Sequence, residues 1–249
     1  MVLFLTSSPT GPLDNSRIVD GFDDKNRLVE NLRRFWREDS RCLMLAADPH
    51  DTEFNDILRD EMGVILKRRG FSFSSLEIWD DRTTEFSASR VRSFDFILLC
   101  GGHVPTQNAF LDKLDMRQSL SRFDGIVMGI SAGTMNCADM VYAQPELDGE
   151  SLDPHYRRFI PGLDLTDINI LPHYQMLRDS HLDGKRLFED ITHPDSPGRF
   201  FLALPDGSYV LSVNGQETLY GEAWRLHEHG AEKICRDGQT LALGIRRKN

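Results

Sequence analysis

Short apolar runs that alternate with stretches of helical period constrain this chain more than any other feature. Met1–Thr6, Arg41–Ala47, Phe71–Trp79, Phe94–Cys100 and Gly125–Ile130 read as strands. Between them, Thr52–Arg69 spaces Phe54, Ile57, Leu58, Met62, Ile65 and Leu66 three and four residues apart, as one helix face requires, and Gly70 ends the run. Gln107–Phe123 and Ala132–Val141 read as further helices, and Asp167–Leu171 and Arg199–Leu204 as further strands. Parallel neighbours need a long crossover, and a helix supplies it. The alternation therefore predicts βαβ units and an α/β fold: a mostly parallel sheet with helices on both faces.

The last stretch has a different pattern. Ser208–Val213, Glu217–Tyr220, Ala223–His227, Lys233–Ile234 and Thr240–Leu243 are short strands separated by Asn214-Gly215, Gly221, Gly230 and Asp237-Gly238. Asn-Gly and Asp-Gly are hairpin signals, so a small antiparallel C-terminal extension is expected. Residues 208–249 are too few to bury a core of their own. The expectation is one α/β domain over residues 1–249, with this β-rich tail packed on it.

Composition matters here for what it excludes. The 29 Lys and Arg against 39 Asp and Glu give a net charge of −10, and Arg246-Arg247-Lys248 is too short a basic cluster to offset it. Nucleic acid and anionic membranes are not expected partners. No apolar stretch reaches the roughly 20 residues of a membrane span, and the N-terminus has no basic segment ahead of a long apolar one, so it does not read as a signal peptide. Cys42, Cys100, Cys137 and Cys235 show no C-x-x-C spacing. They read as small buried hydrophobes in a reducing, cytoplasmic setting rather than as metal ligands or disulfides.

The strongest local signal is Gly129-Ile130-Ser131-Ala132-Gly133, which joins a buried strand to a helix. A side chain at the tip of so sharp a turn sits on strained backbone, and its neighbours must be small. Gly129 and Gly133 allow the strand and helix to approach, the Ser131 hydroxyl points out from the sheet, and the Ala132 N–H lies at a helix start where it can bind an oxyanion. This is the setting of a nucleophilic serine.

Such a serine needs a base and the base an orienting acid. Among the eight histidines, His227 and His229 read as a solvated strand, His181 and His193 as surface residues, and His50 and His155 as turn or loop residues. His173 directly follows the strand Asp167–Leu171 through Pro172, at a strand's C-terminal edge, where open α/β sheets place their sites. Asp206, in Leu204-Pro205-Asp206-Gly207, again follows a strand; Asp139, Glu146, Asp148 and Glu217 are rival acids. The order Ser131, His173, Asp206 differs from the Ser, acid, His order of ordinary α/β-hydrolases.

These segments resemble the aspartyl dipeptidase (dipeptidase E) family of serine peptidases, to which cyanophycinases are related. The resemblance runs from the first strand to about Gly221 and rests on the serine elbow, Leu171-Pro172-His173-Tyr174 and the Leu204–Gly207 corner. It implies a class I glutamine amidotransferase-like, flavodoxin-like fold with serine in place of the elbow cysteine. It implies Ser131 as nucleophile, His173 as base and Asp206 in the place of a glutamate acid. In the glycine-rich turn Cys100-Gly101-Gly102-His103-Val104, Gly102 falls where the family has its second oxyanion donor. The family's Asn-Thr after the glycines is missing here, so His103 is expected to reshape the substrate pocket. The implied activity is hydrolysis of short peptides, chiefly dipeptides with an N-terminal acidic residue. The net charge repels such substrates, so a local cation must hold the carboxylate. Arg178 is the first candidate and Arg186 the second; Lys185 lies beside them.

The expected protein is thus a serine peptidase with a small peptide substrate, no metal and no cofactor. No nucleotide-binding or zinc-protease motif is present in the sequence. Three other readings stay open: a hydrolase of another small amide, as in cyanophycinases; a binding module on the same fold without catalysis; and association as a homodimer.

Overall fold

The computed structural model describes residues 1–9, 21–22, 24 and 26–245; the basic end Arg246-Arg247-Lys248 lies outside the described residues. The first half supplies β1 (Val2–Thr6), α1 (Leu28–Arg33), β2 (Ser40–Leu45), α2 (Thr52–Arg68), β3 (Phe73–Trp79), α3 (Ala88–Val91), β4 (Phe96–Leu99), α4 (Val104–Lys113), α5 (Met116–Leu120) and β5 (Ile126–Ile130). Five of these strands pair in parallel in the order β1-β5-β4-β2-β3. The fold is mixed α/β, with a large and mostly parallel central sheet.

Both faces of that sheet are buried, because successive strand residues point to opposite sides. Leu3, Leu5, Leu43, Leu45, Ile97, Leu99 and Val127 pack on one face with Phe110, Leu111 and Leu120 of α4 and α5. Phe4, Cys42, Met44, Phe96, Leu98 and Met128 pack on the other with Leu28 and Leu32 of α1 and Ile65 and Leu66 of α2. All four cysteines are free and buried. No helix among the described residues is long and apolar enough to cross a membrane.

The chain continues through α6 (Ala132–Met135), β6 (Met140–Tyr142), β7 (Phe159–Pro161), β8 (Asn169–Leu171), α7 (Tyr174–Leu177), β9 (His181–Leu182), β10 (Lys185–Arg186), a π-helical turn at Leu187–Thr192, α8 (His193–Asp195) and β11 (Phe201–Ala203). Five further strands follow: β12 (Tyr209–Val213), β13 (Gln216–Tyr220), β14 (Ala223–His227), β15 (Gly230–Cys235) and β16 (Thr240–Ile245). β12, β13 and β16 extend the central sheet antiparallel from β1, and β14 and β15 extend a second sheet of order β15-β14-β11-β8. Asn214 and Gly215 both have positive φ (52° and 80°), the backbone a two-residue hairpin needs.

Several sequence expectations are corrected. The strands Asp167–Leu171 and Arg199–Leu204 do not join the parallel sheet. Shortened to β8 and β11, they pair with each other in parallel on one side of the second sheet, with β8 at its edge, and Ile170 and Leu202 pack against the central sheet's face. The helix expected over Gln107–Phe123 is two helices, broken at Asp115 (φ 49°). Leu114 and Met116, two residues apart, would point to opposite sides of one helix, and the break lets both bury. The helix expected over Ala132–Val141 is a single turn, after which the chain pairs as β6 with β7. In α2, Phe54 and Ile57 face solvent at 51% and 49% exposure, and the buried face is Asn55, Met62, Ile65 and Leu66. His193 is buried beside Phe188 rather than on the surface, and burial lowers its pKa from the ordinary imidazole value.

Candidate active site

β5 and α6 meet at Ser131, whose φ and ψ are 50° and −112°. A non-glycine residue there costs on the order of 1–3 kcal/mol and persists only where its surroundings hold it. The end of β1 does so. The Ser131 N–H donates to the Thr6 and Ser7 carbonyls (3.2 and 3.1 Å), the Thr134 hydroxyl donates to the Thr6 carbonyl (2.7 Å), and the Thr6 hydroxyl donates to the Gly129 carbonyl (2.7 Å). The two glycines are required by contact. A Cβ on Gly129 would stand 2.6 Å from the Thr134 nitrogen, and one on Gly133 2.2 Å from the Leu99 carbonyl oxygen.

The second sheet delivers the partners. β8 runs through Pro172 into His173, which takes φ 56° and starts α7. Its Nε2 lies 2.9 Å from Ser131 Oγ and its Nδ1 2.7 Å from Asp206 Oδ1. Asp206, just past β11, has a fully buried side chain, whereas the imidazole is 21% exposed. An ionised carboxylate only accepts hydrogen bonds, so this arrangement puts the ring proton on Nδ1 and leaves the Nε2 lone pair facing Ser131.

The Asp206 carboxylate has two more donors. Ser7 Oγ donates to Oδ1 (2.7 Å) and Gln175 Nε2 to Oδ2 (2.6 Å). Both donors are themselves fixed: Ser7 Oγ accepts the His173 backbone N–H (2.8 Å), and Gln175 Oε1 accepts the Asp206 backbone N–H (3.0 Å). Sequence reasoning missed both. The signal for Ser7 was available, since Thr6-Ser7-Ser8 ends the strand adjacent to β5. Gln175 had none beyond its closeness to His173 in the chain.

Gly102, Ser131 and His173 line one cavity of about 330 Å³. The Gly102 turn is tight, because a Cβ there would stand 2.6 Å from the Ala47 Cβ. Ala132 N–H sits at the start of α6, behind Ser131. The cavity wall includes the apolar residues Val104, Met135 and Leu187, and its polar lining includes Gln144, Glu146 and His181. His181 was expected only as a surface residue.

Of the residues named for substrate binding, none lines the cavity. Arg178 pairs with Asp179 (3.0 Å) and Arg186 with Asp190 (2.6 Å), both on the surface. Lys185 donates to the Ser151 carbonyl (2.9 Å). His103 stands one layer out. Its Nδ1 meets Thr106 Oγ1 (2.7 Å) and its Nε2 meets Glu150 Oε1 (2.9 Å). Glu150 Oε2 in turn accepts the Glu146 and Leu147 N–H groups (2.8 and 3.0 Å). His103 thus fixes the loop that carries Glu146. Loss of hydration raises the Glu146 carboxyl above its ordinary pKa; His103 and His173 act in the opposite direction, and Glu150 adds to the rise. Among the other rival acids, Asp139 pairs with Arg117 and Glu217 accepts from Thr166. Among the described residues no His, Cys, Asp and Glu cluster could hold a metal ion.

No protein-family model matches the sequence. No curated protein matches it either. Solved structures do match in fold. A peptidase from an acI-B1 Actinobacterium superposes with a TM-score of 0.67 at 13% identity, over 97% of this chain and 96% of its own. A protein of Listeria monocytogenes EGD-e described as "Putative Peptidase E Protein" superposes with a TM-score of 0.50 at 18% identity, over 94% of this chain and 98% of its own.

Proposed function

We propose that this chain is a serine hydrolase that cleaves a short peptide or a comparably small amide, with Ser131, His173 and Asp206 as its catalytic triad. The observation that carries the reading is the continuous hydrogen-bonded line from Ser131 Oγ through both His173 nitrogens to a buried Asp206 carboxylate. It starts at a strained elbow that opens on a cavity. Strain and a buried carboxylate both cost stability, and a triad accounts for the two together.

Ser131 Oγ attacks the substrate carbonyl carbon as its proton passes to His173 Nε2. Asp206, which holds the Nδ1 proton, stabilises the imidazolium without taking that proton. The carbonyl oxygen becomes an oxyanion, and the Gly102 and Ala132 N–H groups are the proposed donors to it. His173 then gives its proton to the leaving amine, and the C–N bond breaks. Water, deprotonated by His173, releases the acyl group and restores Ser131. A cavity of about 330 Å³ is at the small end for ligand sites and supports a short substrate. The two solved neighbours described as peptidases support the same reaction class.

The test has two arms. A fluorophosphonate probe, which reacts with activated serines, should label the wild type on Ser131, and mass spectrometry locates the adduct. A dipeptide library should be hydrolysed by the wild type and not by a folded Ser131→Ala variant. Labelling elsewhere, or equal hydrolysis by the variant, would overturn the assignment.

A further inference from the structure

The cavity beside Ser131 has a charge and a wall that specify more than a small substrate. Much of its wall is apolar: Val104, Met135 and Leu187 are nearly fully buried, and Met176 stands at the solvent side. None of its lining residues is an arginine or a lysine. The basic side chains closest in sequence, Arg178, Lys185 and Arg186, are held by Asp179, the Ser151 carbonyl and Asp190.

The acidic group on the cavity is Glu146. Its backbone N–H is pinned by Glu150, which His103 holds from the other side. Asp183 accepts the N–H groups of Gly149 and Ser151 in the same loop (2.8 and 3.1 Å). The loop is therefore braced at both ends of its turn. The Glu146 carboxylate itself has no hydrogen bond or ion pair among the described residues. An unpaired carboxylate carried on a braced loop beside apolar residues attracts a cation and repels an anion, and the net charge of −10 adds to both effects.

We infer that Glu146 is a specificity determinant that receives the free α-ammonium of a short peptide whose first side chain is apolar. The inference rests on the hydrolase reading above. An unblocked peptide always carries an ammonium on the carbon next to its first carbonyl, so an acid near Ser131 reads the N-terminus of the substrate. The side chain on that carbon then meets Met135, Met176 and Leu187. An acidic first residue would place a second carboxylate beside Glu146 with no arginine or lysine on the cavity to offset it.

The experiment compares three p-nitroanilides, of leucine, N-acetyl-leucine and aspartate, on the wild type and Glu146→Gln, with fluorophosphonate labelling of Ser131 run in parallel. The wild type should favour the leucine anilide over the other two. Glu146→Gln should lower kcat/KM for the leucine anilide about ten- to a hundred-fold more than for the acetylated one, the worth of one charged hydrogen-bonded contact. Equal losses on both, or aspartate turned over as fast as leucine by the wild type, overturns the role of Glu146. Labelling of Ser131 with no preference for the free amine, or with none of the three cleaved, overturns the specificity alone. No labelling and no turnover of any substrate overturns the hydrolase reading with it.

Discussion

Replacing Asp206 with Asn changes the charge of one buried group and almost nothing of its shape. Asp206 accepts three side-chain hydrogen bonds, from Ser7, His173 and Gln175, at 2.6–2.7 Å. An amide has one accepting and one donating end. If its oxygen stays toward His173 and Ser7, its NH₂ faces the Gln175 NH₂. Turning Gln175 over then sets that NH₂ against the backbone N–H of residue 206, which Gln175 Oε1 now accepts. If the NH₂ turns toward His173 instead, Nδ1 must accept, the ring proton moves to Nε2, and Ser131 loses its base. Either choice leaves at least one buried donor unpaired, a cost of about 1–3 kcal/mol in stability. The second also predicts a fall in kcat of about 10⁴, or roughly 5.4 kcal/mol of transition-state stabilisation. The assay is kcat on a cleaved dipeptide beside a thermal melt. The new Asn-Gly step deamidates back toward the acid, so fresh protein and an Asp206→Ala control are needed. A folded Asp206→Asn that keeps more than a tenth of wild-type kcat and also melts like the wild type matches neither orientation and would refute this account of the carboxylate.

Ser7→Ala leaves the His173 backbone N–H without its acceptor and removes a donor from Asp206; kcat should fall up to about 100-fold with KM little changed, and an unchanged kcat would remove Ser7 from the positioning of the imidazole. Gly133→Ala drives a Cβ to 2.2 Å from a backbone oxygen of β4. Overpacking of that kind costs about 1–3 kcal/mol, so the melting temperature should drop by about 2–12 °C; an unshifted melt would show that the elbow has room. The Asp183 carboxyl is held below its ordinary pKa, first by the Gly149 N–H and then by Ser151. Its contribution is therefore present above the ordinary Asp range and is lost as pH falls through the depressed folded-state value. Carboxyl ¹³C shifts should show that depression, and Asp183→Asn should abolish the acid-induced change at the Gly149 and Ser151 amides; a change that survives the substitution would place its cause elsewhere.

The elbow was readable from the chain alone because its constraints are local. Five residues between a buried strand and a helix start carry the two glycines that the backbone contacts require, and Ser131 sits between them. The five parallel strands were legible for a similar reason: burial on both faces leaves unbroken apolar runs such as Phe94–Cys100. His173 and Asp206 could be picked out as strand-end residues. What the sequence did not carry was the sheet they belong to. Short apolar strands look alike in either sheet, and only packing made β8 and β11 a separate layer that brings His173 and Asp206 onto Ser131. The same holds for charge. Arg178 and Arg186 looked available as carboxylate binders because they follow His173 closely in the chain; their partners Asp179 and Asp190 are local, and what only the structure decides is that neither arginine lines the cavity. Glu146 looked like one rival acid among several until the loop held by Glu150 and Asp183 put it on the cavity. Backbone sterics act over a few residues and leave their mark in the residues themselves; side-chain pairing joins segments far apart in the chain, and only the tertiary structure selects the partners.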